Sequence, residues 1–285
     1  MQENVRTPEP LAPKNLNELL SLRNNYPGSV IYAGGTYLLR HYSQRPWPET
    51  NFLIYLGNVK ELDYITRTER YIEFGSCASF SRILQTCKNV IPRALYQAMN
   101  DIGTSAVKNM ATIGGNLCVP ERRMSLFTVL LLMDVRIELR KQGKNRWVTI
   151  QKFIDPEGRP DIQDDEILTR IRLPFNSWKY QIYLSLGKGL LPPEEEMIFC
   201  GLADIDKNLM TDLRISFGTA GTAVFRNLEI ESGFAGSTLP LSEKKMEMID
   251  EILENSELFE TLFTAFQKKR IRNIILWYLQ SIEPE

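Results

Sequence analysis

Apolar positions fall into short blocks along the chain, and their spacing alternates between helical and strand-like periods. Near the start, Leu16, Leu19, Leu20 and Leu22 form a helical stripe that runs up to Pro27-Gly28. Asn15 followed by Glu18 marks its N-terminus, since such a pair can satisfy free backbone donors reciprocally. Val30-Ile31-Tyr32-Ala33 then reads as a short buried strand, running straight into Gly34-Gly35-Thr36, and residues 37–43 as a second helical run. The opening is therefore helix, strand, glycine turn, helix. Residues 52–56 and 71–74 read as further buried strands, and 79–86 is helical in pattern. Residues 92–101 suit a helix with proline in its first turn. After Ile102-Gly103 comes a glycine-bearing stretch, Ala111-Thr112-Ile113-Gly114-Gly115-Asn116. A buried helix is expected over 125–133, strands over 135–140 and 147–150, and a strand over 167–173 stopped by Pro174.

Beyond Pro174 the texture changes. Residues 179–186 and 197–206 are strand-like and flank an irregular segment, and 212–218 and 224–230 add two more expected strands. Long helical patterns follow, including Ile271, Ile274, Ile275 and Leu279. A block of strands followed by helices fits an α+β second domain. The boundary is placed near Phe175, giving domains over 1–175 and 176–285.

Composition narrows the function. Of 285 residues, 34 are basic and 35 acidic, a net charge of -1 that offers no broad electrostatic footprint for nucleic acid or an anionic membrane. No stretch reaches the ~18 apolar residues that a bilayer span requires, and the polar, proline-containing start lacks the apolar core of a signal peptide. A cytoplasmic address is the default expectation. Cys77, Cys87, Cys118 and Cys200 lie far apart with no CxxC pair, so neither a disulfide framework nor an iron–sulfur cluster held by this chain alone is expected. His41 is the single histidine, which argues against a histidine-based zinc site or a Ser-His-Asp triad. No catalytic acid, base or metal ligand is assigned.

What remains is glycine chemistry. A glycine pair can adopt positive φ and lets a ligand approach the main chain closely. Successive N–H groups in such a turn form a concave anion site suited to a pyrophosphate. Gly34-Gly35 and Gly114-Gly115 are two such pairs, with Thr36 and Thr112 adding a hydroxyl beside each. Facing each other, they could clamp one dinucleotide from both sides; read singly, either is an ordinary tight turn. Neither is the GxGxxG of a nicotinamide-binding unit.

In combination, Val30-Ile31-Tyr32-Ala33-Gly34-Gly35-Thr36-Tyr37-Leu38-Leu39 resembles the first flavin loop of the FAD-binding medium subunits of molybdenum hydroxylases, the xanthine dehydrogenase and carbon monoxide dehydrogenase family. The run from Ile102-Gly103 through Val107-Lys108-Asn109-Met110-Ala111-Thr112-Ile113-Gly114-Gly115-Asn116-Leu117-Cys118 is similar to the second. Asp165-Glu166-Ile167-Leu168 and Ser216-Phe217-Gly218-Thr219-Ala220 extend the likeness over nearly the whole chain. The resemblance implies an α+β fold: a two-lobed FAD-binding domain of the PCMH type, then a small α+β domain like the C-terminal domain of carbon monoxide dehydrogenase flavoproteins. It implies FAD contacts at Ile31, Tyr32, Ala33, Gly34, Gly35, Thr36, Tyr37 and Leu38, and at Thr112, Ile113, Gly114, Gly115 and Asn116. Ile102 and Leu168 match flavin-packing positions, and Lys188 either matches a basic residue near the flavin or is a solvated loop lysine.

The chain also departs from the family. Tyr37 stands where an acidic or polar residue is usual, and Ser125 where an aspartate meets the nucleotide. Serine keeps a hydrogen bond but brings no negative charge. Arg122 and Arg123 either pair with a phosphate or form an exposed basic turn. The implied role is electron transfer through FAD, from a 2Fe-2S small subunit to an acceptor such as NAD, beside a molybdopterin-binding large subunit. Two further readings stay open: a flavin-free relative serving as a scaffold subunit, and a stand-alone oxidase holding flavin covalently through His41 or Cys118.

Overall fold

The computed structural model describes residues 8–43, 52–119, 125–154, 159–191, 195–219 and 224–283. In chain order the first elements are β1 (Glu9–Leu11), α1 (Leu16–Asn25), β2 (Val30–Tyr32), α2 (Thr36–His41) and β3 (Phe52–Tyr55). Then come β4 (Ile65–Arg67), β5 (Tyr71–Gly75), α3 (Phe80–Thr86), α4 (Arg93–Asn100), α5 (Ser105–Met110) and α6 (Ile113–Leu117). They are followed by α7 (Ser125–Leu131), β6 (Arg136–Lys141), β7 (Lys144–Thr149) and β8 (Ile167–Pro174). The rest comprises β9 (Tyr180–Leu186), β10 (Met197–Asp206), β11 (Leu209–Thr219), β12 (Val224–Arg226), α8 (Leu228–Phe234), α9 (Glu243–Glu254), α10 (Glu257–Leu262) and α11 (Ala265–Gln280). The fold is α+β.

Two compact units result. The first takes Met1–Lys88, Met99–Pro120 and Asp134–Phe175; the second takes Asn89–Ala98, Glu121–Met133 and Asn176–Glu285. The first holds a parallel sheet in the order β1-β3-β2 and an antiparallel sheet in the order β4-β5-β8-β6-β7. Leu19 and Leu20 of α1 are buried with Ile54, Leu56, Val59, Leu62 and Ile167, the stripe that the leucine spacing predicts. Asn15 caps α1 by accepting from the Glu18 N–H at 2.9 Å, but the Glu18 carboxylate accepts from Lys14, one residue before the cap. The expected reciprocal box is thus displaced by one residue.

Along the antiparallel sheet, Ile72, Phe74, Ile137, Leu139, Ile171 and Leu173 are buried. The intervening positions carry charge. Glu73 accepts from Arg172 at 2.9 Å and from the Tyr64 hydroxyl at 2.7 Å, while Arg170 pairs with Glu138 at 3.0 Å. The Arg172 guanidinium lies 4.1 Å from the Tyr71 ring centroid and 4.2 Å from that of Trp147. This lattice surrounds the buried carboxylates of Glu73 and Glu138 with donors. Burial pushes Glu73 upward, yet the hydrogen bonds from Tyr64 and Arg172 and the charges of Arg170 and Arg172 bring it below the usual carboxylate range.

The second unit is built on an antiparallel sheet, β12-β11-β10-β9. Phe199 and Phe217 of the sheet share one core with Phe234, Ile249, Ile271, Ile275, Tyr278 and Leu279 of the later helices. Helix α7 belongs to this unit: the Ser216 hydroxyl donates to the Thr128 carbonyl at 2.9 Å, and Arg214 and Arg226 donate to Leu132 and Leu131.

Two expectations are corrected. The strand expected over 224–230 stops at Arg226, because the Asn227 side chain accepts from the N–H groups of Glu229 and Ile230 and starts α8 instead. The glycine-bearing stretch at 111–116 is partly helical, held as α6. The strand expected to end at Pro174 does so, with Pro174 as the last residue of β8, paired with Tyr71.

Candidate functional site

The first glycine turn leaves β2 after Tyr32 and enters α2 through Gly35, which has φ +69° and so favours glycine. Gly34 is glycine for another reason. A Cβ there would stand 1.7 Å from the Met110 carbonyl oxygen and 2.6 Å from its carbonyl carbon. The turn therefore docks against the end of α5, directly before the second glycine motif. At Gly35 the space of a side chain is taken by the Tyr32 ring, whose hydroxyl would lie 2.2 Å from an added Cβ. No side chain caps α2, and Thr36 is simply its first residue. The amides of its opening turn have no acceptor inside the helix.

All positions from Ile31 to Leu38 are half-buried. Ile31 and Ala33 pack on the core beneath the parallel sheet, so their side chains support the turn from behind. Tyr37 stacks on His41, with ring centroids 5.1 Å apart and 3.2 Å between its hydroxyl and Nδ1. His41 also meets Tyr42 edge-on at 4.7 Å.

The second turn is organised differently. Thr112 caps α6, its hydroxyl accepting from the Gly115 N–H at 3.1 Å. The Ile113 N–H donates to the Ala78 carbonyl at 3.1 Å, and the Gly114 N–H to the Ser76 carbonyl at 2.9 Å. Gly114 must be small because a Cβ would sit 2.6 Å from that of Ser76. The expectation of an anion cradle made from the amides of this turn is corrected: those of Ile113, Gly114 and Gly115 are spent on the protein itself. What the turn leaves over is the Asn116 side-chain oxygen, buried and with no hydrogen-bond partner among the described residues. A buried acceptor left unmade costs about 1–3 kcal/mol, so this atom fits a bound group that carries a donor. The hydroxyls and ring N–H of FAD are donors of that kind, and the residues fit the cofactor.

The remaining positions divide between the units. Leu168 is buried on β8, beside Thr169, whose carbonyl accepts from Ser76; the Ser76 carbonyl in turn takes the Gly114 amide. Ile102 is half-buried between α4 and α5 in the same unit. Ser125 and Lys188 belong to the second unit: Ser125 begins α7, and Lys188 is exposed in the turn between β9 and β10, flanked by Gly187 and Gly189 with φ +78° and +69°. Arg122 and Arg123 lie outside the described residues. Burial pushes the Cys118 thiol up to about 12, and does the same to Cys77 against a weaker lowering by Ser76. Neither is a thiolate at neutral pH. Sequence reasoning missed Ser76, Ala78 and Met110. They act through main-chain atoms, which any residue supplies, so no side-chain signal could have marked them. Among the described residues, no three His, Cys, Asp or Glu side chains come together as a metal site, and no helix is long and apolar enough to cross a membrane.

Comparison with known proteins finds relatives described as FAD subunits. The FAD-binding subunit of xanthine dehydrogenase from Escherichia coli O157:H7 is 25% identical over 245 residues, covering 83% of this chain and 81% of its own. The FAD subunit of nicotinate dehydrogenase from Eubacterium barkeri is 31% identical over 168 residues; the match spans 56% of each chain. In fold, a chain of carbon monoxide dehydrogenase from Hydrogenophaga pseudoflava superposes with a TM-score of 0.78 at 16% identity, covering 96% of this chain and 94% of that one. Residues 7–176 match the family described as the FAD binding domain in molybdopterin dehydrogenase. With well over half its length inside that match, the chain belongs to the FAD-binding domain family of the molybdopterin dehydrogenases.

Proposed function

We propose that the chain is the FAD-binding electron-transfer subunit of a molybdenum hydroxylase, a cytoplasmic oxidoreductase component. It takes electrons from a 2Fe-2S small subunit and delivers them to an acceptor such as NAD, while a molybdopterin-binding large subunit oxidises the substrate. The relatives' names, FAD subunits of nicotinate and xanthine dehydrogenases, support this class of assembly. The observation that carries the reading is the unpartnered Asn116 oxygen on a turn that the protein has already fixed. Such a turn needs no ordering when ligand arrives, which favours binding.

When bound, FAD would supply the redox chemistry. The chain's residues bind and orient it. Asn116 would accept a hydrogen bond from it, and the resemblance assigns the turn at Gly34-Gly35 to the same cofactor. The resemblance assigns Ile102 and Leu168 to packing on the flavin, and Ser125 and Lys188 to polar contact with it. The family match ends at residue 176, which supports reading 1–175 as the FAD domain and 176–285 as the C-terminal domain. Attachment is non-covalent, because Cys118 is held as a thiol and His41 is engaged by Tyr37 and Tyr42.

The test is the visible spectrum of the purified chain, followed by acid precipitation and identification of any released flavin. Stoichiometric, acid-releasable FAD is expected. A chain that stays colourless with excess FAD would overturn the reading in favour of the flavin-free scaffold. Flavin retained on the precipitate would point to the covalent oxidase.

A further inference from the structure

A short helix follows each glycine turn, and the two are held in different ways. Helix α6 has five residues, of which Ile113, Gly114 and Leu117 are buried, and Thr112 caps it. Its Ile113 and Gly114 amides donate outward to Ala78 and Ser76, so the segment after β5 holds it in place. Helix α2 has six residues, none of them buried, and its N-cap Gly35 supplies no side-chain hydrogen bond. The bonds from the Leu39 N–H to Gly35 and from the Tyr42 N–H to Leu38, both 2.9 Å, are its own turns. The stack of Tyr37 on His41 and the edge contact of His41 with Tyr42 also lie within the helix and its C-cap.

A helix this short does not form in water by itself, because nucleation fixes several residues for a single hydrogen bond. Burial or outside hydrogen bonds must stabilise it. Helix α6 has both, whereas α2 has neither a buried residue nor a side-chain cap. The turn before α2 is fixed, since Gly34 rests on the Met110 carbonyl and Gly35 on the Tyr32 ring. The change from firmly to weakly held chain therefore falls at Gly35, inside the first cofactor motif.

We propose, on the FAD reading above, that α2 folds with its cofactor. In the flavin-free chain residues 36–42 open and close locally, while the turn and α6 stay formed. FAD binds the form in which Tyr37 and Leu38, the positions that the resemblance gives to the cofactor, are in helix. The measured affinity is then the intrinsic one reduced by the fraction of chain with α2 formed. A change in α2 at a position that never meets FAD shifts FAD affinity all the same.

Hydrogen exchange of the full chain, with and without saturating FAD, reads the state of α2. Without FAD the Leu39 and Tyr42 amides are expected to exchange at the rate of an unstructured peptide while Gly114 is protected. FAD at a hundred times its Kd should slow both by about a hundredfold. Leu39 is 52% exposed and outside the assigned cofactor contacts. Leu39→Gly should weaken FAD binding about fourfold and leave the Tm of the flavin-free chain unchanged. Leu39→Ala, which loses the same side chain but keeps helix propensity, should bind FAD as the wild type does. Leu39 and Tyr42 amides as protected as Gly114 without FAD, or equal FAD affinities for the two variants, would overturn the proposal. A wild-type chain that binds no FAD at all would instead fail the cofactor reading.

Discussion

The two glycine turns look alike in sequence and are built on opposite principles. Gly34-Gly35 enters a helix that no side chain caps, and it is held by its contact with the Met110 carbonyl. Gly114-Gly115 enters a helix whose opening amides are all committed, to Ser76, Ala78 and Thr112. The first turn is positioned from outside and enters its helix without a side-chain cap; the second is sewn into the sheet beside it and offers a side chain. Glycine is required in both chiefly because protein backbone passes close by. Ligand binding uses what that packing leaves over.

The largest effect that separates the two turns is expected from Gly34→Ala. The added carbon would meet a carbonyl group that no rotamer change can move, at a cost of about 4 kcal/mol or more. Thermal denaturation would check this, and a variant with wild-type Tm would show that the first turn does not rest on Met110. Acid comes next. Glu73 and Glu166 are held below their ordinary range: burial opposes ionisation, but Tyr64 and Arg172 at Glu73, and Arg146 at Glu166, outweigh it. A depressed folded pKa contributes stability above the unfolded value and loses it as pH falls through the folded one. The antiparallel sheet should therefore weaken below about pH 4. Amide exchange at Gly114, which hangs from that sheet through Ser76, should rise there before exchange in α2.

Smaller effects sharpen the contrast. Thr112→Ala removes a buried cap and should lower stability by about 1 kcal/mol, whereas Thr36→Ala, which removes no cap, should stay within about 0.5 kcal/mol. Equal losses in denaturant titrations would contradict the difference in capping. Asn116→Leu should weaken FAD binding by about tenfold while leaving the flavin-free protein no less stable, because its oxygen has no partner to lose. A destabilised flavin-free variant would mean that the oxygen is already satisfied. Gly115→Ala should also cost about 1 kcal/mol, since the new carbon would stand 2.8 Å from the buried Thr112 hydroxyl and push it off the Gly115 amide it caps.

Much of the fold was legible because burial writes itself into periodicity. The leucine stripe of α1, the strand before the first turn, β10 at its observed bounds and the buried helix α7 all follow from spacing. Short elements were not legible. β1 has three residues and includes a proline, and α6 has five residues, fewer than an isolated helix needs to nucleate. Both exist because a partner segment supplies their hydrogen bonds. The Asn227 cap was readable in principle, but the apolar run of Val224, Phe225, Leu228 and Ile230 carried the strand reading past it.

The sequence by itself determined the α+β class, the positions of both glycine pairs and the likeness to a flavin-binding family, since those depend on residue type and local spacing. Only the tertiary structure decided what each glycine does. Whether an amide is free for a phosphate depends on which carbonyl stands opposite, and Met110, Ser76 and Ala78 reach their places through main-chain atoms that carry no mark of residue identity.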